Sequence, residues 1–313
     1  MRHAFSSAAG RHVAAVPLLA SKLLVLSFAV TIGAAPPQAP PAERARVNGV
    51  ELAYVEQGGG VPVVFAHGAV GDHRFWEPQR DAFAKDHRFV AITLRYHGTA
   101  PWPDEGESYS TRTHAADLAA LIAALDAGPV HLVGLSYGGA LAAMVASNEP
   151  HLVRTLTLAE PGLFSLLAET PEGREVLEIW NKDAARIGAA LQEGDAVAAT
   201  KQLVEVVTGH PVEQFDELPA PLRQILLDNA RTLPLLFAAP PEVVSCAALG
   251  AIKAPTLVLR GEHTPRIFVT TNEIVGGCIP GSRQGVVPDA SHGMSFDNPA
   301  GFNQAVLGFI EEH

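Results

Sequence analysis

Gly134-Leu135-Ser136-Tyr137-Gly138-Gly139 constrains this chain more than any other stretch, because its two flanks demand different backbones. Upstream, Val130-His131-Leu132-Val133 is apolar and β-branched and follows Gly128-Pro129, the pattern of a short buried strand. Downstream, Ala140 to Ala146 holds good helix formers and no breaker. The chain must pass from strand to helix within a few residues, and Ser136 sits at the change. A turn that sharp forces the serine backbone into a strained conformation, so Gly134 and Gly138 must lack bulk. The serine hydroxyl is then held at the carboxyl edge of a sheet, beside the free N–H groups of the new helix. Ser136 is therefore the candidate nucleophile.

Just under half of the 313 residues are hydrophobic, enough for a large core. The 22 basic against 33 acidic residues give a net charge of -11, which argues against a nucleic-acid partner. The expected partner is a small-molecule substrate. The first 35 residues differ from the rest. They carry Arg2, Arg11 and Lys22 with no acid, then the largely apolar run Leu23–Ala35, then Pro36-Pro37 and Pro40-Pro41. That is the layout of a secretory signal (1–35) followed by a Pro-rich linker (36–46). A membrane anchor is the rival reading, but the run is shorter than the roughly 20 residues needed to span a bilayer. Cleavage near Ala35 would remove three cations, leaving -11 - 3 = -14. The expected location is periplasmic or secreted. Two cysteines, Cys246 and Cys278, could form one disulfide there or remain buried thiols, and the spacing does not choose. The thirteen histidines show no ligand spacing, so neither metal nor cofactor is expected.

Along the chain, strand patterns occur at Val50–Glu56, Pro62–Ala66, Phe89–Leu94, Val130–Leu135, Leu156–Ala159 and Thr256–Leu259, with a weaker one near Gly285-Val286-Val287. Helical patterns separate them at Phe75–Lys85, Thr111–Asp126, Ala140–Asn148 and Pro299–Glu312. Short apolar strands alternating with helices imply a mostly parallel sheet covered on both faces. From Pro161 to Lys253 the alternation stops, and helix-like segments follow at Glu172–Leu191, Asp195–Val207 and Ala220–Leu236. A structureless loop of that length is implausible, so 161–253 is expected to be a helical cap on a core of 47–160 and 254–313. Leu163, Phe164, Leu166, Leu167 and Leu235 to Phe237 could line its underside or simply form its own core.

A serine needs a base, and the base needs an acid to hold its tautomer. His292, in Ala290-Ser291-His292-Gly293-Met294, lies between the last strand and the last helix, where the base belongs when the order is serine, acid, histidine. His263 and His313 fit that position less well. Tyr137, next after Ser136, and Ala69, after the His67-Gly68 that ends a buried strand, are the expected backbone donors of an oxyanion hole.

These motifs, with Arg95-Tyr96-His97-Gly98 and Pro255 to Glu262, make the chain resemble the α/β-hydrolase fold superfamily of esterases, lipases and C–C hydrolases. The resemblance runs from about Val50 to the C-terminus. Many members place an Asp three residues after the glycine that ends the strand before the last. Here that position is Thr264, which cannot carry the charge. Some members draw their acid from the strand that follows the nucleophile strand, and Glu160 ends that strand here. Glu160 is thus the preferred acid, with Glu262 and Asp289 as alternatives. The resemblance implies a serine hydrolase with a Ser136–His292–Glu160 triad, acting through an acyl-enzyme on a small apolar carboxylic ester or lactone. Hydrolysis of a C–C bond in a diketone-type substrate, or a ligand-binding or signalling protein on the same fold, are the alternatives.

Overall fold

The computed structural model describes residues 42–313; the expected signal peptide (1–35) and most of the expected linker lie outside the described residues. In chain order the strands are β1 (Glu43–Val47), β2 (Val50–Gly58), β3 (Pro62–Ala66), β4 (Arg88–Ile92), β5 (Val130–Leu135), β6 (Val153–Ala159), β7 (Thr256–Gly261) and β8 (Arg283–Val287). They form one sheet in the order β1-β2-β4-β3-β5-β6-β7-β8. The pairs β1–β2 and β2–β4 are antiparallel and the others parallel. Every residue of β3 and β5 is buried, as their unbroken apolar runs require when helices cover both faces.

The period-2 alternation of the central strands divides the core. Val64 and Leu132 face one way, against Leu118 and Leu141 of the helices α2 (Thr111–Ala124) and α3 (Tyr137–Asn148). Val63, Phe65 and Val133 face the other way and join Phe83 and Phe302, from the helices at Glu77–Phe83 (α1) and Pro299–Glu311 (α11). The interval between β6 and β7 is helical, with α4 (Pro171–Gln192), α5 (Ala196–Thr208), α6 (Ala220–Asp228), α7 (Leu233–Ala238) and α8 (Cys246–Leu249). The single helix anticipated over 220–236 is interrupted at Asn229, whose buried side chain is committed elsewhere. Its Nδ2 donates to Asp72 at 2.8 Å, and Gly98 N–H donates to its Oδ1 at 2.6 Å, which ties this insertion to two loops of the core.

Two further features depart from the sequence reading. The linker was expected to reach residue 46, yet Glu43–Val47 is strand β1 at the edge of the sheet. Its sequence ERARV is charged and mostly exposed, as suits an edge strand, so it offers no apolar run to detect. The helix α9 (Arg266–Cys278), between β7 and β8, is not legible in the sequence because Val269, Thr270, Thr271 and Gly276-Gly277 are poor helix formers. Burial of Ile267, Phe268, Thr271 and Val275 on one face outweighs that propensity. The disulfide question is resolved: Cys246 of α8 is bonded to Cys278 at the end of α9. Among the described residues no helix is long and apolar enough to cross a membrane.

Candidate active site

The turn between β5 and α3 carries the strain expected of it. Ser136 has φ 56° and ψ -117°, left-handed territory that a serine adopts only under constraint. Three backbone bonds hold it there: Ser136 N–H donates to Ala159 O at 3.0 Å, and the N–H groups of Gly162 and Ala140 donate to Ser136 O at 2.8 and 3.1 Å. A Cβ at Gly134 would run into the Gly138 carbonyl, and one at Gly138 into the carbonyls of Ala66 and His67. The two glycines therefore let α3 and β3 close tightly on the turn, with Tyr137 opening the helix and its N–H free of any intrahelical partner.

The peptide joining Gly68 to Ala69 is held from behind. Leu94 N–H donates to His67 Nε2 at 3.1 Å, so the ring proton lies on Nδ1, which meets Gly68 O at 2.8 Å. Gly71 N–H donates to the same carbonyl at 3.2 Å. In a trans peptide the N–H points opposite the C=O, so Ala69 N–H is turned away from these donors, and Ala69 lines the same cavity as Ser136. Complete burial pushes His67 down to about 3, which keeps the ring neutral and its tautomer fixed. His114, whose Nδ1 meets the Tyr137 hydroxyl at 2.8 Å, is likewise pushed down to about 2 by burial.

His292 lies in the loop between β8 and the short helix α10 (Met294–Asp297), buried and also lining the cavity. Its Nδ1 is 2.5 Å from Glu160 Oε2. Glu160 is fully buried at the end of β6, with a left-handed φ of 45°. Two further donors serve its carboxylate: Gly261 N–H reaches Oε1 at 2.8 Å and Thr264 Oγ1 reaches Oε2 at 2.9 Å. A buried carboxylate requires such compensation. Donation from Nδ1 leaves His292 Nε2 as the basic nitrogen. The Phe268 ring stacks on the imidazole at 4.0 Å between centroids and 14° between planes, which restricts its rotation.

Of the acids considered, the structure brings Glu160 to His292. Glu262 and Asp289 are exposed, and Glu262 accepts the Asp289 N–H at 3.0 Å. With His263 they form an exposed group whose ligand atoms lie within 4.8 Å of one another, and none of the three lines the cavity. Thr264 and Phe268 were not anticipated as parts of this site. Thr264 drew notice only as a missing acid, and Phe268 sits in the helix that its own composition conceals. Of the anticipated lining residues, Leu163, Phe164, Leu236 and Phe237 face the cavity, whereas Leu166 and Leu167 are spent in the core and Leu235 lies off the cavity against Gly106.

The family described as alpha/beta hydrolase fold matches residues 61–299. A non-heme chloroperoxidase of Streptomyces lividans is 28% identical over 284 residues, covering 84% of this chain and 97% of its own. A 2-(acetamidomethylene)succinate hydrolase of Mesorhizobium japonicum is 24% identical over 282 residues, covering 86% and 94%. The structure is similar to that of Est816, described as an N-acyl homoserine lactone degrading enzyme, with a TM-score of 0.68 and 26% identity over 85% of this chain and 100% of the other.

Proposed function

Because this chain belongs to the alpha/beta hydrolase fold family, we propose that it is a serine hydrolase whose triad is Ser136, His292 and Glu160. The carrying observation is the buried Glu160–His292 pair, whose imidazole faces the same cavity as a serine on a strained strand-to-helix turn. Ser136 Oγ attacks the acyl carbon of an apolar carboxylic ester or lactone while His292 Nε2 takes its proton. Negative charge gathers on the former carbonyl oxygen and is met by the N–H groups of Tyr137 and Ala69, each worth roughly 10²- to 10³-fold in rate. His292 returns the proton to the leaving alkoxide, and for a lactone the released hydroxyl stays on the acyl group. Water, deprotonated by the same nitrogen, then clears the acyl-enzyme.

The helices of 161–253 act as a cap over Ser136 in this reading. Residues 1–35 serve as an export signal, and a disulfide between Cys246 and Cys278 suits an oxidising compartment. Ser136→Ala should abolish both hydrolysis of p-nitrophenyl acetate and covalent labelling by a fluorophosphonate. Undiminished turnover in that variant would remove Ser136 from the mechanism, and a wild-type protein that takes no label would favour a ligand-binding role.

A further inference from the structure

The cavity shared by Ser136 and His292 has a volume of about 610 Å³, far more than the acyl group of an acetate or butyrate ester fills. Its walls come from both parts of the molecule: Phe75 and Met144 of the core, and Trp180, Leu203, Val207 and Leu226 of the insertion. The charged and titratable groups around it are as informative. Among the described residues that line it there is no Arg or Lys. Glu242 is paired with Arg112 at 2.6 Å, and Asp297 accepts from the Ser291 hydroxyl at 2.6 Å. His292 is held by Glu160, and His210 is exposed. The cavity therefore has two carboxylates near it and no fixed cation that could neutralise an anionic ligand.

We infer that this cavity selects an uncharged ester or lactone carrying an apolar chain of about eight to twelve carbons, and favours it over short or carboxylate-bearing substrates. The inference rests on the serine hydrolase reading given above and adds the substrate class to it. At about 30 Å³ for a water-sized group, the volume admits on the order of twenty heavy atoms, matching a chain of that length with its ester and leaving group. Each methylene buried against such walls should raise kcat/KM by roughly three- to fourfold until the far wall is met. A carboxylate placed there would find no Lys or Arg to pair with and lose rate by roughly a hundredfold or more.

The test measures kcat/KM for two series, p-nitrophenyl esters from acetate to palmitate and alkyl acetates from methyl to dodecyl. Each is run beside a substrate of equal length ending in a carboxylate. The expected result is a rise of at least a hundredfold between two and ten carbons in one of the series, with the carboxylate analogue at least a hundredfold slower. Leu203→Trp should shorten the optimum and lower the ten-to-two-carbon ratio at least tenfold, and the wild-type series decides the matter if that variant does not fold. Two failures are distinguishable. If acetate esters turn over and the fluorophosphonate labels Ser136, but both series are flat or fall beyond four carbons, the chain pocket is wrong and the serine hydrolase stands. If neither turnover nor label is seen, the serine hydrolase reading fails as well.

Discussion

At the scale of single residues, Glu160 holds the largest share of the site's specificity of arrangement. Its carboxylate receives Gly261 N–H, Thr264 Oγ–H and His292 Nδ1–H, so one buried side chain ties together two strand ends and one imidazole. Glu160→Gln replaces an acceptor with an amide whose N–H₂ cannot accept from Nδ1, so the tautomer of His292 is no longer enforced. Removing the equivalent acid function elsewhere lowers turnover by about 10⁴, and a loss of 10³ or more in kcat, with little change in KM, is expected here. Thr264 already touches the oxygen that touches His292, so Glu160→Gln combined with Thr264→Asp should recover at least tenfold over the single variant. A comparable loss in Glu262→Gln or Asp289→Asn, with Glu160→Gln still active, would transfer the role away from Glu160.

At the scale of elements, the outcome depended on how strongly each segment announces itself. Strands β3 and β5 are continuous apolar runs, and their existence and burial were legible from period and composition. Strand β1 is not, because an exposed edge strand needs no hydrophobic face and reads as a charged linker. Helix α9 gives no clear pattern of its own, since its β-branched residues become helical only once Phe268 and Val275 are packed. The same helix carries Cys278, joined to Cys246 across a sequence separation of 32 residues. Closing a loop of that size should stabilise the fold by about 3–4 kcal/mol, mainly by restricting the unfolded chain. Cys246→Ser and Cys278→Ser should each lower the urea midpoint accordingly, and reduction of the wild type should reproduce the shift. A midpoint unaffected by either change would mean that the bond contributes nothing.

At the scale of the whole molecule, the core encloses histidines whose burial disfavours protonation. Burial depresses His67 to about 3 and His114 to about 2, both below the ordinary value of 6.5. A histidine depressed in the folded state favours folding above its unfolded value, and that contribution is lost as pH falls. Between about pH 6 and pH 4 the unfolded chain binds these two protons and the native chain does not. Stability should then drop with a slope of at most about 3 kcal/mol per pH unit from this pair. Urea denaturation at pH 7.5, 6 and 5 measures it, and a midpoint constant across that range would show that the two rings are protonated in the folded protein. Asp72 adds to the same trend only at lower pH. Its burial would raise it, but hydrogen bonds from Arg74 and Asn229 outweigh that and hold it at about 2.

By itself the sequence determined the strand–turn–helix at Ser136, the mostly parallel sheet around it and the helical character of the segment between β6 and β7. These follow from local periodicity and from glycines whose lack of a side chain is needed within a few residues of where they stand. The sequence also narrowed the acid to three residues and preferred Glu160 only through the family resemblance, because carboxylates at Glu160, Glu262 and Asp289 look alike until neighbouring strand ends are placed side by side. Only the tertiary structure decided which of them meets His292, through the pairing of β6 with β7 that sets Glu160 beside Gly261 and Thr264. It also decided the stacking of Phe268 on His292, the Cys246–Cys278 bond and the absence of a cation from the cavity wall among the described residues. Each of these joins residues far apart in sequence, and such distances become contacts only when the sheet order is known.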